Sequence, residues 1–269
     1  MWGAIEAGGT KFVCAVGTGP DDLVVSEPIP TTTPRETLRA VFAFFAPYRR
    51  LKGVGVGSFG PLDLENGRLS ATTPKRAWRK FGLRQALETG LRVRVYLDTD
   101  VNAAAWGEYN FGDSAAPFLY VTVGTGIGGG GVVNGKLLHG LSHPEMGHLL
   151  LRRLPDDRFP GVCPAHGDCL EGMASGVAIE ARRLTGEQDF AVEYLASGLL
   201  ALSYAYSPLR IVLGGGVMKT PKLRAQVVKR MRALNGGYAP LPEVIAPRLG
   251  DLSGVLGALG LAIYYGEIG

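Results

Sequence analysis

Cys163, His166 and Cys169 fall within the run "GVCPAHGDCLEG", spaced Cys-x2-His-x2-Cys, in a chain holding three cysteines and four histidines. Thiolate and imidazole ligands at such intervals suit a tetrahedral zinc ion, which needs a fourth ligand from elsewhere in the chain. The alternative is two free thiols beside an unrelated loop histidine; a disulfide between Cys163 and Cys169 is less favoured than either. The third cysteine, Cys14, sits in an apolar strand-like run and reads as a small buried residue.

A second chemistry is carried by glycine. "IEAGGTKF" and "VGTGIGGG" each place a glycine turn between two strand-like runs. Such turns let backbone amides approach a phosphate closely, as an anion nest. Gly8, Gly9 and Thr10 form the first turn and Gly124, Thr125 and Gly126 the second; Lys11 suits phosphate or solvent equally. Ordinary hairpin turns would explain the glycines but not the repeated threonine. Residues 124–129 also satisfy G-x-G-x-x-G, but the "GGVVNGKLL" that follows is not helical and no acidic residue ends a strand about 20 positions on, so the dinucleotide fold fails. A Walker-like match from Gly130 to Lys136 has Leu137 where Ser or Thr is required, and no helix follows it. Two phosphate hairpins facing a cleft suggest ATP, with "LGGG" (Leu213–Gly216) receiving its nucleoside end.

These candidates need elements to hold them. Three strand-length runs open the chain, "WGAIEA", "KFVCAVG" and "DLVVSEPI". Thr33 can cap and Pro34 can start a helix over "TPRETLRAVFAFFAPY". "GVGVGSFGP" reads as a buried strand; a helix over 78–89, the strand "RVRVYLD" and a helix from about Val101 to Phe111 complete this half. The grammar then restarts with "PFLYVTV", a glycine turn, and "GVVNG" and "KLLHG" as strands. Helices are expected over 175–184, 190–206 and 221–233, strands at "RIVLGGG" and "PEVIAP", and a last helix from Ser253. Strand, glycine turn, strand, then alternating helix and strand thus occurs twice, an internal duplication. It predicts α/β layers in two domains with a cleft between them. The expected domains are 1–110 and 111–269, with the boundary near 107–117 and the last helix, 253–266, packing back on the first.

Composition excludes several classes. Hydrophobic content of 46% and charged content of 19% are those of a folded domain. The apolar runs stop well short of a membrane span of about 20 residues, and the N-terminus lacks a charged-then-apolar leader, so a cytoplasmic protein is expected. A net charge of +4 invites nucleic-acid binding, but the basic groups, such as Arg49-Arg50 and Lys75-Arg76, are scattered without interleaved aromatics. An anionic small-molecule substrate fits the same charge.

"EAGGTK", "GPLD", "DTDVNAAAWGE", "VGTGIGGG", "HPEMGH", the Cys/His loop with Glu171, and "LGGGV" occur in the order found in ROK-family sugar kinases. The chain resembles that family over nearly its whole length, and within it the bacterial zinc-containing fructokinase branch. The resemblance implies an actin/hexokinase-like fold, a duplicated ribonuclease H-like architecture. It further implies ATP with Mg²⁺, transfer of the γ-phosphoryl group to a hexose hydroxyl, and a homodimer. Fructose is the expected substrate; glucose, mannose and N-acylated amino sugars are the rivals within the family. A sugar-responsive repressor on the same fold would carry an N-terminal DNA-binding extension, whereas the first phosphate hairpin here begins at residue 5. A chaperone- or actin-type ATPase would not need the sugar residues or the Cys/His loop.

On sequence alone Asp98 or Asp100 could be a general base or a helix cap, and capping is the plainer reading for Asp98. The family pattern Asn-Asp-x-Asn falls on Thr99, Asp100 and Asn102, which implies Asp100 as base and Thr99 and Asn102 beside the sugar. Thr99 stands where asparagine is usual. The resemblance also puts Gly60, Pro61, Glu145, His148 and Glu171 on the sugar, with "TTPKRAW" (Thr72–Trp78) lining the same side. It makes His148 the fourth zinc ligand with Cys163, His166 and Cys169, although His139 and His143 compete for that role. Gly8–Lys11, Gly124–Gly126, Val177 and Gly214–Gly216 are expected on ATP, and Glu6 on Mg²⁺ through water.

Overall fold

The computed structural model describes residues 1–48, 50–112, 116–186 and 189–268. Its compact units are not contiguous in sequence: unit 1 is Met1–Ser114, Leu137–His143 and Arg248–Gly269, and unit 2 is Ala115–Lys136 and Pro144–Pro247. Arg49 and residues 113–115, part of the expected boundary region, lie outside the described residues.

In unit 1, β1 (Trp2–Ala7) and β2 (Lys11–Gly17) form an antiparallel hairpin with Ala7 opposite Phe12. The expected third strand splits into β3 (Val24–Val25) and β4 (Ile29–Pro30), both on β2. Pro28 between them has no amide hydrogen to continue a ladder. α1 (Pro34–Phe45) begins as its capping residues predict, with Thr33 Oγ1 accepting from the Glu36 amide. β5 (Val54–Ser58) lies parallel to β1, and β6 (Leu62–Asp63) and β7 (Arg68–Leu69) make a small separate ribbon. α2 (Leu83–Leu91) starts later than the pattern suggests, because Lys80 adopts a left-handed φ of 59° that breaks the helical path. β8 (Val95–Thr99) pairs parallel with β5 and runs directly into α3 (Asp100–Phe111). The sheet order is β3-β2-β1-β5-β8, with β4 also on β2.

In unit 2, β9 (Phe118–Val123) and β10 (Ile127–Val133) form the second antiparallel glycine hairpin. Asn134 and Gly135, both with positive φ, turn the chain into β11 (Lys136–Leu137), an Asn-Gly hairpin. That strand ends before the expected "LHG". α4 (Leu170–Ala174), which the sequence pattern did not reveal, precedes α5 (Gly176–Thr185) and α6 (Ala191–Tyr206). β12 (Arg210–Gly214), α7 (Leu223–Asn235) and β13 (Glu243–Ile245) complete the order β11-β10-β9-β12-β13. A mixed sheet with helices thus recurs in both units.

α8 (Ser253–Ile268) returns to unit 1, where it packs on α3, β1 and β5. Small residues bring these backbones together: a Cβ on Gly257 would lie 1.6 Å from the Ala103 carbonyl oxygen. Fully buried Glu108 accepts from the Arg248 and Leu249 amides, each at 3.0 Å, and from Ser253 Oγ at 2.7 Å. A carboxylate on α3 thereby satisfies donors at the entry to α8. Aromatic rings of Phe12, Phe59 and Phe81 surround Trp78 on the sheet's other face. Among the described residues no helix is long and apolar enough to cross a membrane.

The long loop before α4 is pinned by a buried ion pair. Asp157 takes both Arg182 guanidinium nitrogens, at 2.9 and 2.7 Å, the Tyr194 hydroxyl at 2.7 Å and the Phe159 amide at 3.1 Å. Burial alone would raise the Asp157 carboxyl; the hydrogen bonds from Arg182, Tyr194 and Phe159 outweigh it and hold the group at about 2. Because the folded value is depressed, this stability is present above the ordinary carboxylate range and lost as pH falls through the folded value. About 2 kcal/mol should disappear between roughly pH 5 and pH 2. Urea unfolding of the parent and of Asp157→Asn over that range checks this; equal pH slopes would contradict it.

Candidate active site and metal centre

The junction of β8 and α3 concentrates polar groups. Thr99, not Asp98, is the N-cap of α3: its Oγ1 accepts from the Asn102 amide at 3.1 Å. The capping reading of Asp98 is therefore corrected. Asp98, 4% exposed, receives the Thr99 amide at 2.7 Å and Asn102 Nδ2 at 2.9 Å on Oδ1, and His139 Nε2 at 2.9 Å on Oδ2. Its hydrogen bond to His139 and its charge raise that imidazole above its ordinary value, against the effect of burial. Asn102 is wholly buried, with its amide nitrogen on Asp98. Asp100 takes the first helical position, Oδ1 accepting from the Val101 amide at 2.9 Å, and is partly exposed. A carboxylate at a helix N-terminus is stabilised by the helix dipole.

Glu6 on β1 retains slight exposure, yet its carboxyl is pushed up to about 7, first by burial and then by the charge of Asp100, with Lys11 opposing and Asp251 adding. A cation placed beside Glu6 and Asp100 would favour the ionised form of Glu6.

On the side expected for the sugar, Gly60 and Pro61 are partly exposed, and Thr73 Oγ1 donates to the Gly60 carbonyl at 2.9 Å. Trp78, by contrast, belongs to the core, its indole N–H on the Thr32 carbonyl at 2.8 Å. His143 Nε2 accepts the Leu62 amide at 3.0 Å. His139 and His143 are thus engaged within unit 1. Sequence reasoning weighed both only as metal ligands and missed these partners.

The two glycine hairpins are tight in different ways. The Gly8 amide donates to the Lys11 carbonyl at 2.9 Å across a two-residue loop, Gly9 and Thr10. The Gly124 amide donates to the Gly126 carbonyl at 2.8 Å, and the Gly124 carbonyl accepts from Gly176 at 2.7 Å, where α5 begins. Neither Gly9 nor Gly126 has a positive φ, so backbone conformation does not require glycine at either position. Gly215 does require it: its φ is 95°, and a Cβ would meet the Val123 carbonyl oxygen at 2.3 Å. Gly124, Thr125, Gly176, Val177, Ala181, Leu184, Gly216 and Val217 line a concavity of about 530 Å³, a volume suited to a small ligand. Val177 and Leu184, exposed at 46% and 72%, are apolar parts of its lining, and Glu180 is an acidic one. Helix positions 181 and 184, on the same face as 177, were not singled out in the sequence; their i, i+4, i+7 spacing is the signal that could have found them.

A Cβ on Gly126 would fall 2.4 Å from Glu171 Oε2, which accepts the Ile127 amide at 2.9 Å. Around Gly124 the same position is open. Gly124→Ala should raise the ATP KM roughly tenfold, about 1.4 kcal/mol, and leave the sugar KM alone, whereas Gly126→Val should raise both through Glu171. Steady-state kinetics with each substrate varied check this; an unchanged ATP KM in Gly124→Ala would remove the phosphate role of this turn.

His148, Cys163, His166 and Cys169 bring their ligand atoms within 4.8 Å of one another. Cys163 Sγ is 3.6 Å from His148 Nδ1 and 3.7 Å from His166 Nδ1, and Cys169 Sγ is 3.5 Å from His148 Nδ1. Tetrahedral zinc with ordinary Zn–S and Zn–N bonds separates neighbouring sulfur and nitrogen ligands by about 3.6 Å. The four residues fit the ion. The cysteines are free thiols, and Cys14, apart from them, is buried, with desolvation pushing its thiol up to about 12. His148 points its other nitrogen, Nε2, towards Glu145 Oε2 at 4.0 Å, and Glu171 follows Cys169 in the first turn of α4.

The ROK family profile matches residues 2–193 and 188–264. The fructokinase of Pediococcus pentosaceus is 39% identical over 282 residues, covering 97% of each chain. The crystal structure of the ROK hexokinase from Thermus thermophilus superposes with a TM-score of 0.83 at 28% identity, over 100% of this chain and 99% of that one. A ROK family glucokinase from Streptomyces griseus, in complex with glucose and AMPPNP, gives 0.76 at 26% identity, over 97% and 98%. The duplicated strand–glycine turn–strand units, the order of the motifs and these matches agree, and the chain belongs to the ROK family.

Proposed function

We propose that this protein is an ATP-dependent hexose kinase that converts fructose to fructose 6-phosphate. The observation that carries the reading is the 39% identity to a fructokinase along 97% of both chains. On unit 1, Asp100 is the general base: the sugar hydroxyl gives its proton to the Asp100 carboxylate as its oxygen bonds to the γ-phosphorus and the bond to ADP breaks. ATP supplies the phosphoryl group; Glu6 would hold Mg²⁺ through water, and the ion would supply charge neutralisation at the phosphates. The turns Gly8–Lys11 and Gly124–Gly126, closed by the Gly8 and Gly124 amides, present their remaining donors to those phosphates, while Val177 and Gly214–Gly216 take the nucleoside. Gly60, Pro61, Glu145, His148 and Glu171 orient sugar hydroxyls. Thr99 and Asn102 stand beside the sugar; Asn102 also fixes Asp98, and Thr99 caps the helix that carries the base.

Zinc held by His148, Cys163, His166 and Cys169 is structural, since four protein ligands leave no open position for water or substrate. It fixes His148 and, through the loop, Glu145 and Glu171. The protein works as a cytoplasmic homodimer, as the resemblance to the fructokinase branch implies. Phosphorus NMR of the product tests the reaction: fructose with ATP should give fructose 6-phosphate. Fructose 1-phosphate, or ATP hydrolysis without sugar phosphate, would overturn it.

A further inference from the structure

Residues Leu137–His143 group with unit 1, although the segments on both sides of them group with unit 2. This short strap is held by a histidine near each end. His143 Nε2 accepts the Leu62 amide at 3.0 Å, beside Gly60 and Pro61. His139 Nε2 reaches Asp98 Oδ2 at 2.9 Å, and its ring stays partly exposed in a concavity that Asp98, Tyr96 and Tyr265 also line.

The bond from His139 ends a short chain of fixed groups. Asp98 Oδ1 holds the Thr99 amide and Asn102 Nδ2, and Thr99 Oγ1 holds the Asn102 amide. These contacts define the first turn of α3, and Asp100 is the first residue of that turn. Three donors converge on the buried Asp98 carboxylate. His139 is the one that comes from a distant part of the chain. Removing it would leave Oδ2 of a group 4% exposed short of a donor, and a buried carboxylate in that position shifts or rotates to find another.

We infer that His139 is a positioning residue for the phosphoryl transfer: by fixing Asp98 it sets the first turn of α3 and hence the aim of the Asp100 carboxylate. The inference rests on the reading of Asp100 as the base. His139 touches no reacting atom, so its loss acts on turnover and not on the occupancy of either substrate. A small displacement of a catalytic group is enough to cost rate while binding persists.

The test is a double-mutant cycle of His139→Leu and Asp100→Asn, with His139→Gln alongside. His139→Leu should lower kcat roughly 10–100-fold with fructose and ATP KM within about threefold of the parent. His139→Gln, whose amide can still donate to Asp98, should recover most of that loss. In the Asp100→Asn background, His139→Leu should cost nothing further, because the group it aims is already disabled. Native kcat in His139→Leu, equal losses in the Leu and Gln variants, or an additive loss in the double variant would each overturn the inference while leaving Asp100 as the base. Near-native turnover in Asp100→Asn alone would overturn both.

Discussion

Asp100→Asn should lower kcat by about 10²–10⁴, the usual contribution of a positioned general base, while the dissociation constant for fructose changes little. The expectation follows from the placement of the residue. An asparagine retains an oxygen to accept the Val101 amide, and the cap made by Thr99 and the bonds to Asp98 do not involve the residue at all. The first turn of α3 therefore survives the substitution, while the proton acceptor and the charge that acts on Glu6 are lost. Steady-state kinetics with a direct fructose titration separate the two quantities. An Asn variant with near-native turnover would remove the base assignment. Asp98 would be a poor replacement, since it is buried under three donors.

Cys163→Ser should release the metal, raise the fructose KM roughly tenfold, the scale seen when a metal site loses its support, and move the ATP KM much less. Metal analysis of the parent protein should give about one zinc per chain, as full tetrahedral ligation implies. The fold itself should persist, because the same loop has a second anchor in the Asp157, Arg182 and Tyr194 cluster. Thermal unfolding should therefore show a lowered but cooperative transition; each 1 kcal/mol lost shifts Tm by roughly 2–4 °C in a chain of this size. Among the four candidate ligands, replacement of His148 should raise the fructose KM most, since its Nε2 lies 4.0 Å from Glu145 Oε2. A metal-free parent with ordinary fructose kinetics would contradict this account, and so would zinc retained by His148→Ala.

What the sequence made legible is local. Both glycine hairpins, the Thr33-Pro34 helix start and the Cys/His spacing depend on neighbours within a few residues, and each lies where its pattern placed it. What escaped the sequence depends on partners far along the chain. His139 and His143 read as spare metal ligands because Asp98 and Leu62, which they engage, belong to other elements. Trp78 read as a sugar-side residue because its motif is polar, yet its ring is worth more in the core among Phe12, Phe59 and Phe81. Gly126 reads as a phosphate-loop glycine in sequence, but Glu171, 44 residues beyond Ile127, lies where its Cβ would go. The strap at residues 137–143 carries no periodicity of its own, so nothing in its composition reveals that it joins unit 1.

The most direct measurement of the central claim is kcat/KM for fructose, glucose, mannose and N-acetylated hexosamines, each with ATP, on one preparation of the zinc-loaded protein. The account predicts ATP-dependent phosphorylation with fructose highest in the series. A higher value for any other hexose would contradict the fructose assignment, and the absence of sugar-dependent ADP release across the panel would contradict the kinase itself.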